Sequence, residues 1–554
     1  MKPILKMTCL MIALGLLGAA GAIAQTQTTL VPPAAFDITG FIEEATLDGT
    51  VGDLAASPMP NADDRAGGTV TVNGIKMYVP NNTFVQMPAS ALSWKQLFDT
   101  TSATPVNSSN TLGRANLPVD GVSTGLALAD SPAPFPSFEI RAVGNIRTDL
   151  PGFVGVPKYI VGGLIVPIGQ EQLMAGFGVI NYIYYNDDPT HPGRFEVGGT
   201  LGSPGTGAIL EINDPVGRFG HAHSPDPRFS ADTGNPTVAA ASGYPVGIPD
   251  VARDADDSLN TAPFIGSSAT NDPRRPNVNR PPNPARGATG HDPWIAVGAP
   301  LKTFTMNVDA VALGCNASEQ VPLRVGDTVD YAGTLYKIDP TAPFTAANSY
   351  ISVHTLTADL GIFTRPGTRP CYVAVEAFIV PTAQTRNAPP VFAGDPRTSI
   401  PLENTTRVHI VGFTTDPTRL IDLKRIQVNP TTGAETFVTF ASVLPEQLGP
   451  GLVRGRFRFQ PSRTTGIFPP TREYQAVSRT GTTTAANGLL AGQFRLPCFD
   501  FLFGERTVFG NPTVPVQFDT LPFLAIGSGP LTGGPAVFGR LDPWPGPNPP
   551  ITNP

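Results

Sequence analysis

Apolar and polar residues alternate along much of this chain, most clearly from Leu323 to Pro381. In LRVGDTVDYAGTLYKI, Val325, Val329, Tyr331 and Leu335 interleave with polar or small residues, the period of a half-buried strand. Gly326 and Gly333 stand where a tightly coiled strand must bend, so the stretch predicts a small closed β-module. Upstream, from Phe36, DITGFIEEATLDG and GGTVTVNGIKMYVPNN predict a strand, an acidic loop and a hairpin turning at Asn73-Gly74. MPASALSWKQLFD then sets Leu92, Gln96 and Leu97 at near-helical spacing behind Ser90 as a cap, a short helix able to plug the end of a barrel. From Phe138 a second set of alternating runs follows: FEIRAVGNI, KYIVGGLIVPI, FGVINYIYYND, GRFEVGGTLG and TGAILEINDPVGRFG. GFIEEATLDG…GGTVTVNG and GVINYIYYNDD…GRFEVGGT share an order of strand, acidic turn and glycine-terminated strand, which reads as a degenerate repeat.

Between 221 and 300 the alternation collapses into segments such as DPRRPNVNRPPNPARG, which predict an extended linker. The expected class is all-β. Its parts are a barrel-like module over 25–137, a second over 138–220, the Pro/Arg-rich irregular linker 221–300 and a third module over 301–385. A sandwich over 386–526 and an extended tail over 527–554 complete it. LRVGDTVDYAGTLYKI resembles the opening strands of OB-fold-like barrels, and the two earlier modules look like looser versions. That resemblance implies small curled barrels, a fold that often binds oligonucleotides or oligosaccharides on one face. The strands of TRVHIVGFTTDP, LKRIQVNPTTG, ETFVTFASVL, LVRGRFRFQP and REYQAVSRTG look like bacterial Ig-like β-sandwiches, without the two-cysteine signature of antibody domains.

Composition fits many short strands: 58 Gly and 61 Pro among 554 residues supply the turns, and 41% hydrophobic content suffices for cores. At the start, Lys2 and Lys6 precede the apolar run LMIALGLLGAAGAIA and the small-residue site Ala22-Ile23-Ala24. This predicts an export signal cleaved near Ala24, a mature chain from Gln25, and a secreted or cell-surface (or periplasmic) protein with no membrane span after cleavage. Charge is 37 − 44 = −7, and losing two lysines makes it −9, which argues against nucleic acid as a partner. Cys315 and Cys371 flank the central module, and in an oxidising compartment the expectation is a disulfide between them, leaving Cys498 odd.

Candidate chemistry is sparse. His221 and His223 in GHAHSPDPRF face one side of an extended strand and, with Asp226, form a candidate site for a divalent ion, zinc or calcium; solvated loop histidines are the plainer reading. No other cofactor is expected. Gly121 to Gly125 spells G-x-S-x-G around Ser123, but Pro118 and all-β surroundings argue against a nucleophile elbow. Asp250, Asp254, Asp256 and Asp257 form an acidic loop without EF-hand spacing. Arg454, Arg456 and Arg458 alternate with Gly455, Phe457 and Phe459, so three guanidinium groups share one strand face that could meet an acidic polysaccharide; a solvated face over a Phe core is the alternative. The residues favour a non-enzymatic, secreted protein with a structural or binding role toward polysaccharide or surface proteins. The alternatives are a metal-dependent enzyme using His221 and His223, and a carbohydrate-binding protein using an open barrel face.

Overall fold

Two sheets each bend round until their third and fifth strands meet. The first is built from β1 (Ala34–Thr46), β2 (Gly68–Val72), β3 (Ile75–Val79), β4 (Glu139–Arg147) and β5 (Lys158–Ile165). The second uses β6 (Gly176–Ile183), β7 (Arg194–Val197), β8 (Ala208–Ile212), β9 (Thr328–Lys337) and β10 (Ser349–Ala358). In both, the first strand pairs antiparallel with the second and fourth, the second with the third, and the fourth with the fifth. A parallel pair of third and fifth strands closes each ring. This is an OB-like order, and closure leaves no free sheet edge in either ring.

The structure is a computed structural model. It describes residues 34–47, 54, 63–88, 91–98, 123–165 without 132 and 136, 174–185, 191–249 without 233, 272–280, 302–306, 315–379 without 340, 409–460 without 430, 471–497 without 472, 486 and 487, 522–530 and 537–546. The export signal, the Asp250–Asp257 loop and Cys498 lie outside the described residues.

Inward positions follow the alternation. Val70, Val72, Met77, Val79, Ile140, Ala142 and Val161 fill the first barrel. Ile180, Ile183, Phe195, Leu210, Ile212, Val329 and Val353 fill the second, each burial contributing about 1.5–3 kcal/mol for a large aliphatic side chain. The Asn73-Gly74 hairpin forms as expected, with φ of 51° and 72° at the two turn residues between paired Val72 and Ile75. The expected helix at Leu92–Leu97 shrinks to a strand, Ala91–Ser93, and one 3-10 turn, Lys95–Leu97. Ser90, the expected cap, lies outside the described residues; beside the turn the Gln96 amide donates to Ser93 Oγ (3.2 Å) and the Ser93 amide donates to Gln96 Oε1 (2.9 Å).

The expected module boundaries do not hold. β4 and β5 belong to the first barrel, and the Leu323–Pro381 stretch supplies the fourth and fifth strands of the second rather than a third barrel. Local alternation shows that a strand exists but not which partner it takes. Much of the expected linker 221–300 is packed where it is described. Phe229, Tyr244, Val246 and Ile248 are core residues, and Arg275, Asn279 and Arg280 are 1% exposed or less. Its order comes from side chains reaching carbonyls: Arg274 donates to Gly217 O, Arg275 to Arg218 O, Asn279 to Asn316 and Gln320 O, and Arg280 to Pro322 O. Such anchoring leaves no hydrophobic period to read.

A third group of strands is β11 (Val373–Ile379), β12 (His409–Thr414), β13 (Ile421–Val428), β14 (Glu435–Val443), β15 (Arg456–Phe459), β16 (Glu473–Ser478) and β17 (Gln493–Pro497). They form two antiparallel sheets, β11-β12-β15 and β14-β13-β16-β17, around Val373, Ile410, Ile421, Leu423, Phe457, Ala476 and Phe494. This sandwich therefore starts at Val373, before the expected 386. The expected extended tail is docked in its described part: Arg147 donates to Trp544 O (2.6 Å) and Gly546 O (2.7 Å), and Asn145 donates to Pro545 O (3.0 Å). The expected disulfide is absent. Cys315 and Cys371 are both buried and not joined to each other, the first donating to Val278 O and the second beside Ser478 and Thr480.

Candidate functional site

The parallel pair that closes the second barrel sets Leu210 beside Ile351 and Glu211 beside Ser352. β7 adds Arg194 opposite Glu211, and β9 adds Tyr336 opposite Tyr350. Because Leu210 and Ile212 point inward, Glu211 points outward, along with Arg194 on its neighbour strand. The loop 213–232 passes over this face and brings His223 to it.

Arg194 Nε donates to Glu211 Oε2 at 3.2 Å, and its guanidinium lies 5.2 Å from the Tyr350 ring centre. His223 Nε2 is 3.3 Å from the Tyr350 hydroxyl and 3.9 Å from the same Glu211 oxygen. Burial pushes the Glu211 carboxyl above its usual range, against the pull of Arg194 and of His221. Burial, with Arg194 nearby, lowers the His223 imidazole to about 4, so it is neutral at pH 7. Burial and then Glu211 push the Tyr350 phenol up, which keeps it protonated. Ser352 and Ser224, 1% and 4% exposed, have hydroxyls with no hydrogen-bond partner. The His223 side chain, 30% exposed, is where solvent reaches the cluster.

Other aromatic side chains pair around this barrel. Tyr184 packs on Tyr182 (4.9 Å) and His191 (5.0 Å) where β6 leads toward β7. Phe344, between β9 and β10, packs on Phe135 of the first barrel's connection (5.1 Å), and Lys337 sits over Phe135. Both phenylalanines are more than 40% exposed. The loop 198–207 is held by Glu196, which accepts the Gly205, Thr206 and Gly207 amides and the Tyr184 hydroxyl. Burial pushes that carboxyl up, but the donors outweigh it and hold it below its usual range.

Of the proposed metal set, His223 reaches the face and His221 is close enough to act electrostatically on Glu211. Asp226 is elsewhere. It caps the turn Pro227–Phe229 and pairs with buried Arg228 (2.6 Å), whose guanidinium donates to Leu97 O and Thr124 O of the first barrel. Among the described residues no three His, Cys, Asp or Glu side chains are placed to hold a metal ion. Arg194 already neutralises Glu211, so a cation would have to displace it. Ser123 precedes an irregular segment instead of a helix, and the Thr124 hydroxyl donates to Asp130. Arg454 stacks on Phe363 at 3.9 Å, while Arg456 and Arg458 share Glu446, a partner the alternation did not reveal.

Arg194, Glu211 and Tyr350 were missed at the level of sequence. The available signal was a charged residue between core positions in RFEV and AILEI. No helix among the described residues is long and apolar enough to cross a membrane. No protein family matches this chain, and no curated protein or solved structure matches it.

Proposed function

We propose that this chain is an exported binding protein of the cell exterior, built from two OB-like barrels and an Ig-like sandwich, with its ligand face on the second barrel. The observation that carries the reading is the cluster of Arg194, Glu211, His223 and Tyr350, largely buried and reached by solvent at His223. The Arg194 side chain makes no hydrogen bond beyond Glu211 among the described residues, so its terminal nitrogens remain donors. Three other buried cations pair internally: Arg228 with Asp226, Arg275 with Asp272, Arg280 with Asp327. The strand order β11-β12-β15 over β14-β13-β16-β17 supports the Ig-like assignment, and the positive, apolar and small-residue order of the first 24 residues supports export.

The test is expression of the full chain in a secreting bacterium. A mature protein beginning at Gln25 outside the inner membrane, and co-sedimenting with insoluble envelope material, is the expected outcome. An uncleaved chain retained inside the cell, or a mature chain that stays wholly in the supernatant, would contradict it.

A further inference from the structure

We infer that one end of the sandwich rests on an anionic lipid surface, with the loop between β14 and β15 dipping into it, a site separate from the second barrel's cluster. Four connections meet at that end: 364–372 before β11, 415–420 between β12 and β13, 444–455 between β14 and β15, and the turn that follows β16 at Ser478. The β14–β15 loop turns its apolar residues outward: Leu444, Leu448, Leu452 and Val453 are between 44% and 79% exposed. Apolar residues scattered singly over a surface are ordinary, but four gathered on one loop mark a place of contact. The loop is tightly held. The Glu446 carboxylate accepts the Val453 amide (2.8 Å) and pairs with Arg456 and Arg458, the Leu452 amide donates to Gly449 O, and Gln447 Nε2 donates to Pro417 O. The fold therefore keeps these side chains in water rather than letting them collapse onto the sandwich.

The neighbouring loops supply the charge. Arg365, Arg369 and Arg419 are exposed, and none of them forms an ion pair among the described residues. Arg369 Nε donates to Thr480 O (2.8 Å), which sets its guanidinium against Gly481, and Arg419 lies against Gly367. The carboxylate between these loops, Asp416, is fully buried. It accepts the Gly367 and Thr418 amides and the Thr418 and Thr480 hydroxyls, and no arginine. Asp416 thus ties the loops together and leaves three guanidinium groups uncompensated toward solvent, a local positive excess on a chain of net charge −7. Apolar side chains that enter the acyl boundary, beside cations that meet phosphate headgroups, are what a protein lying on an anionic bilayer requires. A protein partner would ask for anchors seated in matching pockets, with aromatics prominent among them. The loop LPEQLGPGLVRG has no aromatic residue, and a fluid apolar phase takes its aliphatic side chains without shape matching.

The experiment is flotation of the mature chain, which lacks the leading apolar run, with vesicles of phosphatidylcholine alone and of phosphatidylcholine mixed with phosphatidylglycerol, at low and high salt. Binding to the mixed vesicles, and little to phosphatidylcholine alone, is expected. High salt should weaken it without abolishing it, because the apolar share is not screened. Leu448→Ser with Leu452→Ser, at exposed sites, should weaken binding by at least about tenfold. Arg365→Gln with Arg419→Gln should weaken it about fivefold for each charge removed, with thermal melts showing both variants folded. Vesicle binding that the leucine variant retains would overturn the assignment, as would equal binding to both vesicles that the arginine variant retains. No vesicle binding at all would overturn it too, and capture of the same chain by immobilised polyglutamate would then assign this end to an acidic protein partner.

Discussion

The two barrels repeat one topology and differ in what they place on one shared face. In each, an inward pair of third and fifth strands fixes the frame: Met77 beside Tyr159 in the first barrel, Leu210 beside Ile351 in the second. One position outward on the third strand stands Tyr78 in the first and Glu211 in the second. Their neighbours on the second strand are Thr69 and Arg194. At the start of the fifth strand Lys158 corresponds to Tyr350, and Arg147 and Tyr336 lie opposite them. The first barrel uses these positions for packing. Lys158 bonds the Tyr78 hydroxyl (3.2 Å) and lies over the Phe153 ring (4.5 Å), and Arg147 holds the segment ending at Gly546. The second barrel uses them for a polar cluster that solvent reaches at His223. A shared backbone order thus leaves chemistry to a few outward positions and to whichever segment lies over them.

The largest test of that contrast removes Arg228, the buried cation joining the second barrel's insertion to the first barrel. Arg228→Leu leaves Asp226 buried and uncompensated, so unfolding in denaturant should show a loss of about 3–5 kcal/mol. Arg147→Leu breaks bonds to a partly exposed Asp149 and to two carbonyls of the docked segment, and should cost less, about 1.5–3 kcal/mol. An equal or larger loss at Arg147 would mean that the C-terminal segment, not the insertion, is the main brace.

Acid should separate the barrels next. His354, 1% exposed in the second barrel, is lowered by burial to about 4, whereas the first barrel's strands contain no histidine. The folded form excludes a proton that the unfolded chain accepts near 6.5. Stability is therefore complete above about pH 6.5, falls as pH drops, and has lost on the order of 3 kcal/mol by about pH 4. Hydrogen exchange at pH 7 and pH 4.5 should show β9 and β10 losing protection before β1 and β4; equal loss would contradict this.

Some of this was legible in advance. The repeat seen between GFIEEATLDG and GVINYIYYNDD proves to be the same strand twice, and both copies shift register at the same point, between Ile42 and Glu44 and between Ile180 and Tyr182. The fourth strands share a second irregularity, at Gly144 and Gly333. There a Cβ would run into the Ile160 or the Ser352 carbonyl, so glycine is required by close approach. The strand partners were not legible, because about a hundred residues, 213–327, separate β8 from β9 and alternation carries no record of pairing. The site was half legible. His223 stood out as a rare residue type, while Glu211 and Arg194 acquire meaning only once their strands are adjacent.

Smaller effects sharpen the comparison further. Glu196→Gln removes the charge that gathers the 198–207 loop in the second barrel and should cost about 1–3 kcal/mol, read as faster proteolysis within that loop. Unchanged cleavage would mean the loop is held by Asn181 instead, which accepts the Gly199 amide. Lys158→Met in the first barrel should cost only about 0.5–1 kcal/mol by thermal melting, the worth of a cation over partly exposed rings.

Hydrogen–deuterium exchange of the whole chain, with and without solubilised envelope material, addresses the division between the barrels most directly. Slowed exchange at 191–212 and 341–352, with 148–158 unchanged, is the predicted result. Slowed exchange at 148–158 with the second barrel unaffected would contradict it.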